Sequence, residues 1–287
     1  MNVQDYISNK KQLQEEILNL LSGEQNLDSI DLKQITSLIN DQKIREDANE
    51  FRSFLYLIVN IANNHHRSPD FFAILNKILI LFKEEFPKYL TENEILNIFY
   101  DNHQIVLFLV ENKLLKINKY FVEFMEDISK CPNYYIKEIK PFLSEEKIEE
   151  IERKNEEITD DPELFEKFRQ IGENEQKICQ YIRNDDIDNF IIYITQTNTS
   201  LNGVVGQSIF ETNKYLYQYK PTIIEYAVFY GSIQIFNYLR MNGVKLTSSL
   251  WFFAVHGQNA EIIHLLEENK VLLPKNSYES IFIEAVK

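Results

Sequence analysis

Apolar residues in this chain recur every three or four positions. Leu13, Ile17, Leu20 and Leu21 form one such series, and Phe54, Leu55, Ile58 and Ile61 form another. This spacing lays one buried stripe along each of many helices. Start signals separate the stripes. Ser68-Pro69 reads as an N-cap with proline at the first helical position, Thr91-Glu92-Asn93-Glu94 as a capping box, and Asp161-Pro162-Glu163 as a second cap-and-proline start. The predicted elements are helices of about ten to fifteen residues. Only seven glycines and seven prolines punctuate the 287 residues, so short helices account for the chain better than strands.

A fixed period emerges in the last third. At an offset of 27, Tyr226 falls on Phe253, Ala227 on Ala254, Val228 on Val255, Ile235 on Ile262 and Phe236 on Ile263. Leu239 falls on Leu266, Asn242 on Asn269 and Val244 on Val271 at the same offset. Each unit reads as a short helix centred on the alanine, a turn at Gly231 or Gly257, and a second helix. Alanine fits where the first helices of stacked pairs approach closely. Gly231 suits the tight turn, and Gly243 the left-handed residue after the second helix. Two more segments read as degenerate copies, with chance likeness between amphipathic helices as the alternative. Gln104–Lys113 lies over Glu261–Lys270 with five of ten positions identical, and Asp186–Phe190 echoes Ser232–Phe236. The stretch Gln196–Lys220 is then an insertion.

The run Thr222-Ile223-Ile224-Glu225-Tyr226-Ala227, then Gly231, Ile235-Phe236, Tyr238-Leu239 and Asn242-Gly243-Val244, resembles an ankyrin repeat. The family motif opens Thr-Pro-Leu-His-x-Ala, and this chain departs from it at Ile223 and Glu225. Thr222 and Glu225 can close the helix start as a capping box instead. The next unit, Ser249–Val271, matches more loosely. Its connection is shorter than the family's period of about 33 residues, which implies a cut-back hairpin. The best units are thus 222–244 and 249–271, followed by 277–287, which reads as a truncated unit with a first helix and no second. The layout is similar to ankyrin-repeat proteins that occur in great number in some parasitic protists. The expected fold is all-α, an ankyrin-type helical repeat solenoid. Its organisation is a helical region 1–155 with degenerate helix pairs and a repeat region 156–287. The acidic stretch Ser144–Asp161 marks the boundary, unless it is a charged surface helix within one continuous array.

Composition narrows the function. The 44 acidic and 30 basic side chains give a formal charge of −14, a field that repels phosphate backbones and anionic lipid. Nucleic acid and membrane are not expected partners. The apolar stretch Phe71–Phe82 is interrupted by Asn76 and Lys77 and is shorter than the ~18 residues a spanning helix needs. Two cysteines, Cys131 and Cys179, and no secretory pattern at the start suit a cytoplasmic location. The sequon at Asn198 then goes unused.

Phosphate-binding glycine loops and the hydrolase elbow are missing from the sequence. Ser8 with Lys11 matches a short nucleophile pattern that is mostly coincidence. His65 and His66 point about 100° apart on a helix and cannot share a metal. His256 and His264 lack the spacing of a zinc pair. No catalytic residue, cofactor or metal is expected. The resemblance implies a module that binds an unidentified protein partner along the faces of its first helices. Tyr226, Phe229, Trp251, Phe253 and His256 are the candidate contacts, with ordinary inter-repeat core as the competing role, above all for Trp251 and Phe253. A structural spacer, or an enzyme on a helical scaffold, is the alternative.

Overall fold

The computed structural model describes residues 3–22, 30–64, 70–125, 134–155 and 161–273. The protein is all-α: the described residues hold eighteen α-helices and no strand. One isolated antiparallel bridge pairs Val204 with Thr222. The chain divides into two compact units, Met1–Ile171 and Gly172–Lys287. Most helices are shorter than the periodicity suggests, because non-glycine residues in the left-handed region stop several of them early.

The first unit contains α1 (Val3–Ser22), α2 (Lys33–Asp41), α3 (Ala48–Asn64), α4 (Phe71–Ile80), α5 (Glu85–Tyr89) and α6 (Glu92–Phe99). It continues with α7 (His103–Glu111), α8 (Lys119–Phe124), α9 (Ile136–Ile139), α10 (Glu145–Asn155) and α11 (Pro162–Ile171). The predicted stripes of α1 and α3 are buried. Thr91 and Glu94 form the expected capping box at α6. Asp161 caps α11 by accepting from the backbone N–H of Glu163 at 2.9 Å. Ser68-Pro69, His65, His66 and Cys131 lie outside the described residues.

The division between units comes later than the acidic stretch. Arg169, on α11 and 2% exposed, donates to both carboxylate oxygens of Glu138 at 2.8 and 2.9 Å and to the Tyr134 carbonyl at 3.1 Å. The Tyr134 hydroxyl donates back to the Arg169 carbonyl at 3.1 Å. A buried guanidinium cannot leave its carboxylate without a large desolvation cost, so α11 belongs with the first unit. Acidic composition alone does not register that tie.

The second unit contains α12 (Lys177–Arg183), α13 (Ile187–Thr197), α14 (Lys214–Tyr219), α15 (Ile223–Tyr230), α16 (Ile233–Met241), α17 (Leu250–Gly257) and α18 (Ala260–Glu268). Its helix pairs share one register. Shifted by 27, Ile223 falls on Leu250 and Tyr230 on Gly257, and Ile233 falls on Ala260 and Met241 on Glu268, so both helices coincide end to end. Shifted by 46, α12 and α13 begin where α15 and α16 begin. In the first unit α7 overlies α18 at an offset of 157, and α2 overlies α7 at an offset of 70.

The stops at the ends of these second helices also recur. Lys43, Lys113, Gly243 and Lys270 all take positive φ, between 53° and 81°. The next residue's N–H then donates back across the last turn: Ile44 to Ile39, Leu114 to Leu109, Val244 to Leu239 and Val271 to Leu266, at 2.8–3.1 Å. This closes carbonyls that a bare helix end leaves open. Between the helices of a pair the left-handed residue is Asp185, Gly231 or Gln258. The turn after α17 therefore sits on Gln258, one residue past the expected Gly257, which ends the helix itself.

Ala227 and Ala254 are fully buried on α15 and α17, which pack against each other. Ala227→Leu should cost about 1–3 kcal/mol by overpacking. A urea midpoint equal to wild type would show that the site has room. A second pair of substitutions tests the stops. A Cβ on Gly243 meets nothing within 4 Å, whereas one on Gly231 comes within 2.9 Å of the Asn259 amide. Gly243→Lys, which copies Lys113 and Lys270, should cost about 1–2 kcal/mol, and Gly231→Lys at least twice that in the same denaturation assay. Equal losses would contradict the packing at Gly231.

Candidate functional site

The five aromatic candidates are inside the second unit. Tyr226, Phe229, Trp251, Phe253 and His256 are 0–8% exposed. Phe229 stacks on His256 with ring centroids 4.6 Å apart, and the Trp251 indole donates to the Val271 carbonyl at 3.0 Å. The insertion explains why the first-helix face is closed: α14 lies against α17, its Tyr215 ring 5.3 Å from Phe252 and 4.6 Å from His256. As placed, these five rings are core, and a contact surface has to use what stays exposed around them. Phe252 is half-buried and Tyr219 is 61% exposed, their rings 5.5 Å apart. His264 lies on α18, exposed, with Glu267 at 3.2 Å, so it shares no site with His256.

A cluster of titratable side chains in the second unit leaves no local signal in the sequence. Arg183, at the end of α12, pairs with Glu173 at 2.8 Å. It donates to the Asn174 carbonyl and the Tyr226 hydroxyl, both at 2.9 Å. Burial works against its charge, but Tyr226, Glu173 and Tyr230 outweigh it and the guanidinium holds its proton more firmly than usual. Glu211, 4% exposed, accepts from the backbone N–H of Asn213 at 3.1 Å and of Asn174 at 3.3 Å. Burial pushes its carboxyl up to about 8, and those amides and Arg183 only partly oppose the shift. Burial likewise raises the Cys179 thiol to about 12, which leaves little thiolate for nucleophilic chemistry.

Beside Glu211 lies a cavity of about 30 Å³, lined by Asn174, Gly206, Ser208, Tyr217, Lys220 and Tyr226 among others. It has room for one or two water molecules. Both Glu211 oxygens are engaged by backbone amides, so the carboxyl's work is to pin the 172–176 segment to the start of α14. Proton transfer to a substrate would need a freer oxygen. Among the described residues, no group of three or more His, Cys, Asp and Glu converges as a metal-ligand set, and no helix is long and apolar enough to cross a membrane. Ser8 and Lys11 are both exposed on α1.

Glu211 sets a pH dependence. Its carboxyl lies near 4.5 when unburied and near 8 in the fold, so the folded state binds the extra proton. The stability linked to that proton is complete below the ordinary value and is lost as pH rises through about 8. Glu211→Gln should lower stability in acid by about 1–2 kcal/mol, because its amide group cannot accept from the second backbone N–H. The variant should also lose less stability than wild type between pH 5 and pH 9. Parallel curves from urea denaturation would contradict a protonated Glu211.

Compared with family models, with curated proteins and with solved structures, the chain matches none.

Proposed function

We propose that the second unit is a stack of ankyrin-type helix pairs, and that the protein acts as a non-enzymatic protein–protein interaction module. The observation that carries this reading is the shared register of the pairs. Both helix boundaries coincide at an offset of 27, and the helix starts coincide at an offset of 46. The same left-handed stops close the second helices, and alanine sits buried in both α15 and α17. Stacked pairs of this kind offer a continuous ridge of first helices to a partner. Here the exposed part of that ridge is the rim where α14 meets α17, around Tyr219 and Phe252. The polar cluster supports the same reading, since Arg183 and Glu211 are engaged in holding loops.

The test is affinity capture with the intact chain from its source cell. A discrete partner should be retained in near-stoichiometric amount and lost at least tenfold with Tyr219→Asp, at the rim. Tyr100→Asp, on the first unit and 38% exposed, should leave capture unchanged. No partner at all, or one indifferent to Tyr219→Asp, would contradict a binding module at this rim.

A further inference from the structure

The cavity beside Glu211 opens next to the rim. Its floor is buried and includes Asn174, Glu211, Leu216 and Tyr226. Gly206, Gln207 and Lys220 are its exposed lining residues and mark its mouth. Lys220 directly follows Tyr219, the exposed ring that packs on Phe252. A small polar chamber and an aromatic contact therefore meet at adjacent residues.

The walls of the chamber are held in place before any guest arrives. The Asn174 side-chain amide donates to the Gly206 carbonyl at 2.8 Å, and the Gln176 amide packs so closely on Gly206 that a Cβ there would collide with it. The Ser208 hydroxyl donates to Glu175. The Val205 N–H donates to the Pro221 carbonyl at 2.9 Å, which joins the loop on one side of the mouth to the residue after Lys220 on the other. Lys220 ends α14 with φ of 47°, so its backbone is fixed from both sides. Such preorganisation lowers the ordering cost of a guest.

Charge and size choose the guest. Lys220 is the cation of the lining and Glu211 its carboxyl. Both Glu211 oxygens accept from backbone amides, those of Asn213 and Asn174, and burial keeps the group neutral up to about 8. Glu173 is paired with Arg183 at 2.8 Å, and burial keeps Cys179, Tyr226 and Tyr230 neutral. An incoming anion thus finds a lysine at the mouth and a neutral acid at the floor. The volume of about 30 Å³ holds one or two water-sized groups. The two oxygens of a carboxylate meet that limit, and the four of a phosphate exceed it.

We infer that this chamber receives an aspartate or glutamate carboxylate of the partner, paired with Lys220, while an apolar residue next to it in the partner packs on Tyr219 and Phe252. A carboxylate on a lysine in a partly enclosed site forms a charge-assisted hydrogen bond. An aromatic anchor beside that pair supplies affinity, and the pair itself fixes register. This inference rests on the reading of the unit as a binding module and names the chemistry of the partner at the rim.

The probe is a labelled peptide Gly-Gly-Phe-Glu-Gly-Gly with both termini blocked, titrated onto the intact chain at pH 7 beside its Phe-Gln twin. The glutamate peptide should bind at least tenfold more tightly. Lys220→Gln should remove the difference, and Lys220→Arg should keep it. No preference, a preference that survives Lys220→Gln, or binding of neither peptide overturns the inference. Shifts of the Ser208 and Lys220 amide signals with formate alone, together with no preference between the peptides, would make the chamber a site for a small free carboxylate and overturn the partner contact. If Lys220→Gln fails to fold, the peptide pair on wild type decides. A captured partner that is lost with Tyr219→Asp but kept by Lys220→Gln sinks the carboxylate site and leaves the module standing. A glutamate preference that depends on Lys220, with no partner captured, does the reverse.

Discussion

The turns of the second unit are built so that one helix pair completes the next. Asp185, left-handed between α12 and α13 with φ of 49°, offers both carboxylate oxygens to the backbone N–H groups of Gln234 and Ile235 at 3.0 Å. These are orphan donors in the first turn of α16, which a helix cannot satisfy from within. In the other direction the Ser232 hydroxyl donates to the Ile182 carbonyl. One pair further on, the Asn259 amide donates to the Gly231 carbonyl at 3.2 Å, and the Ser249 hydroxyl donates to Glu225 of the α15 capping box. Each pair therefore takes hydrogen-bond partners at its turn from its neighbour, as the proposed stack requires.

A second constraint governs the parts that are not repeated. The segments 172–176 and 199–213 have little regular structure, so their backbone groups need partners from elsewhere. Arg183 supplies donors to one of them, and Glu211 and Asn174 bind across the two. Buried charge is expensive, and the shifted carboxyl of Glu211 shows that cost in its raised value. The same polar framework fixes the start of α14. Arg169 does comparable work within the first unit by tying α11 to Tyr134 and Glu138.

Much of this was legible in the sequence because periodic packing leaves periodic residues. The offset of 27 was readable from Ala227, Leu239, Asn242 and their counterparts, and it reproduces the helix boundaries. The echo of Asp186–Phe190 in Ser232–Phe236 likewise marks two helix starts. The overlay of α2 on α7 leaves little trace in the sequence, because few residues beyond Gln34 and Gln104, Ile35 and Ile105, and Lys43 and Lys113 agree. The aromatic residues show the main limit. An apolar position on a first helix looks the same whether a partner or the chain's own insertion covers it, and only the fold brings Tyr215 onto Phe252 and His256. The Arg183 cluster had no local signature, since its members come from four separated stretches.

The most direct test of the stack is Asp185→Gly, read by native-state hydrogen exchange. Glycine accepts the left-handed backbone at this position, so the change removes the carboxylate with little strain. If neighbouring pairs complete each other, protection should fall together in α12, α13 and α16, by about 1–3 kcal/mol. Loss confined to the amides of Gln234 and Ile235, with α12 and α13 as protected as in wild type, would contradict coupling between the pairs.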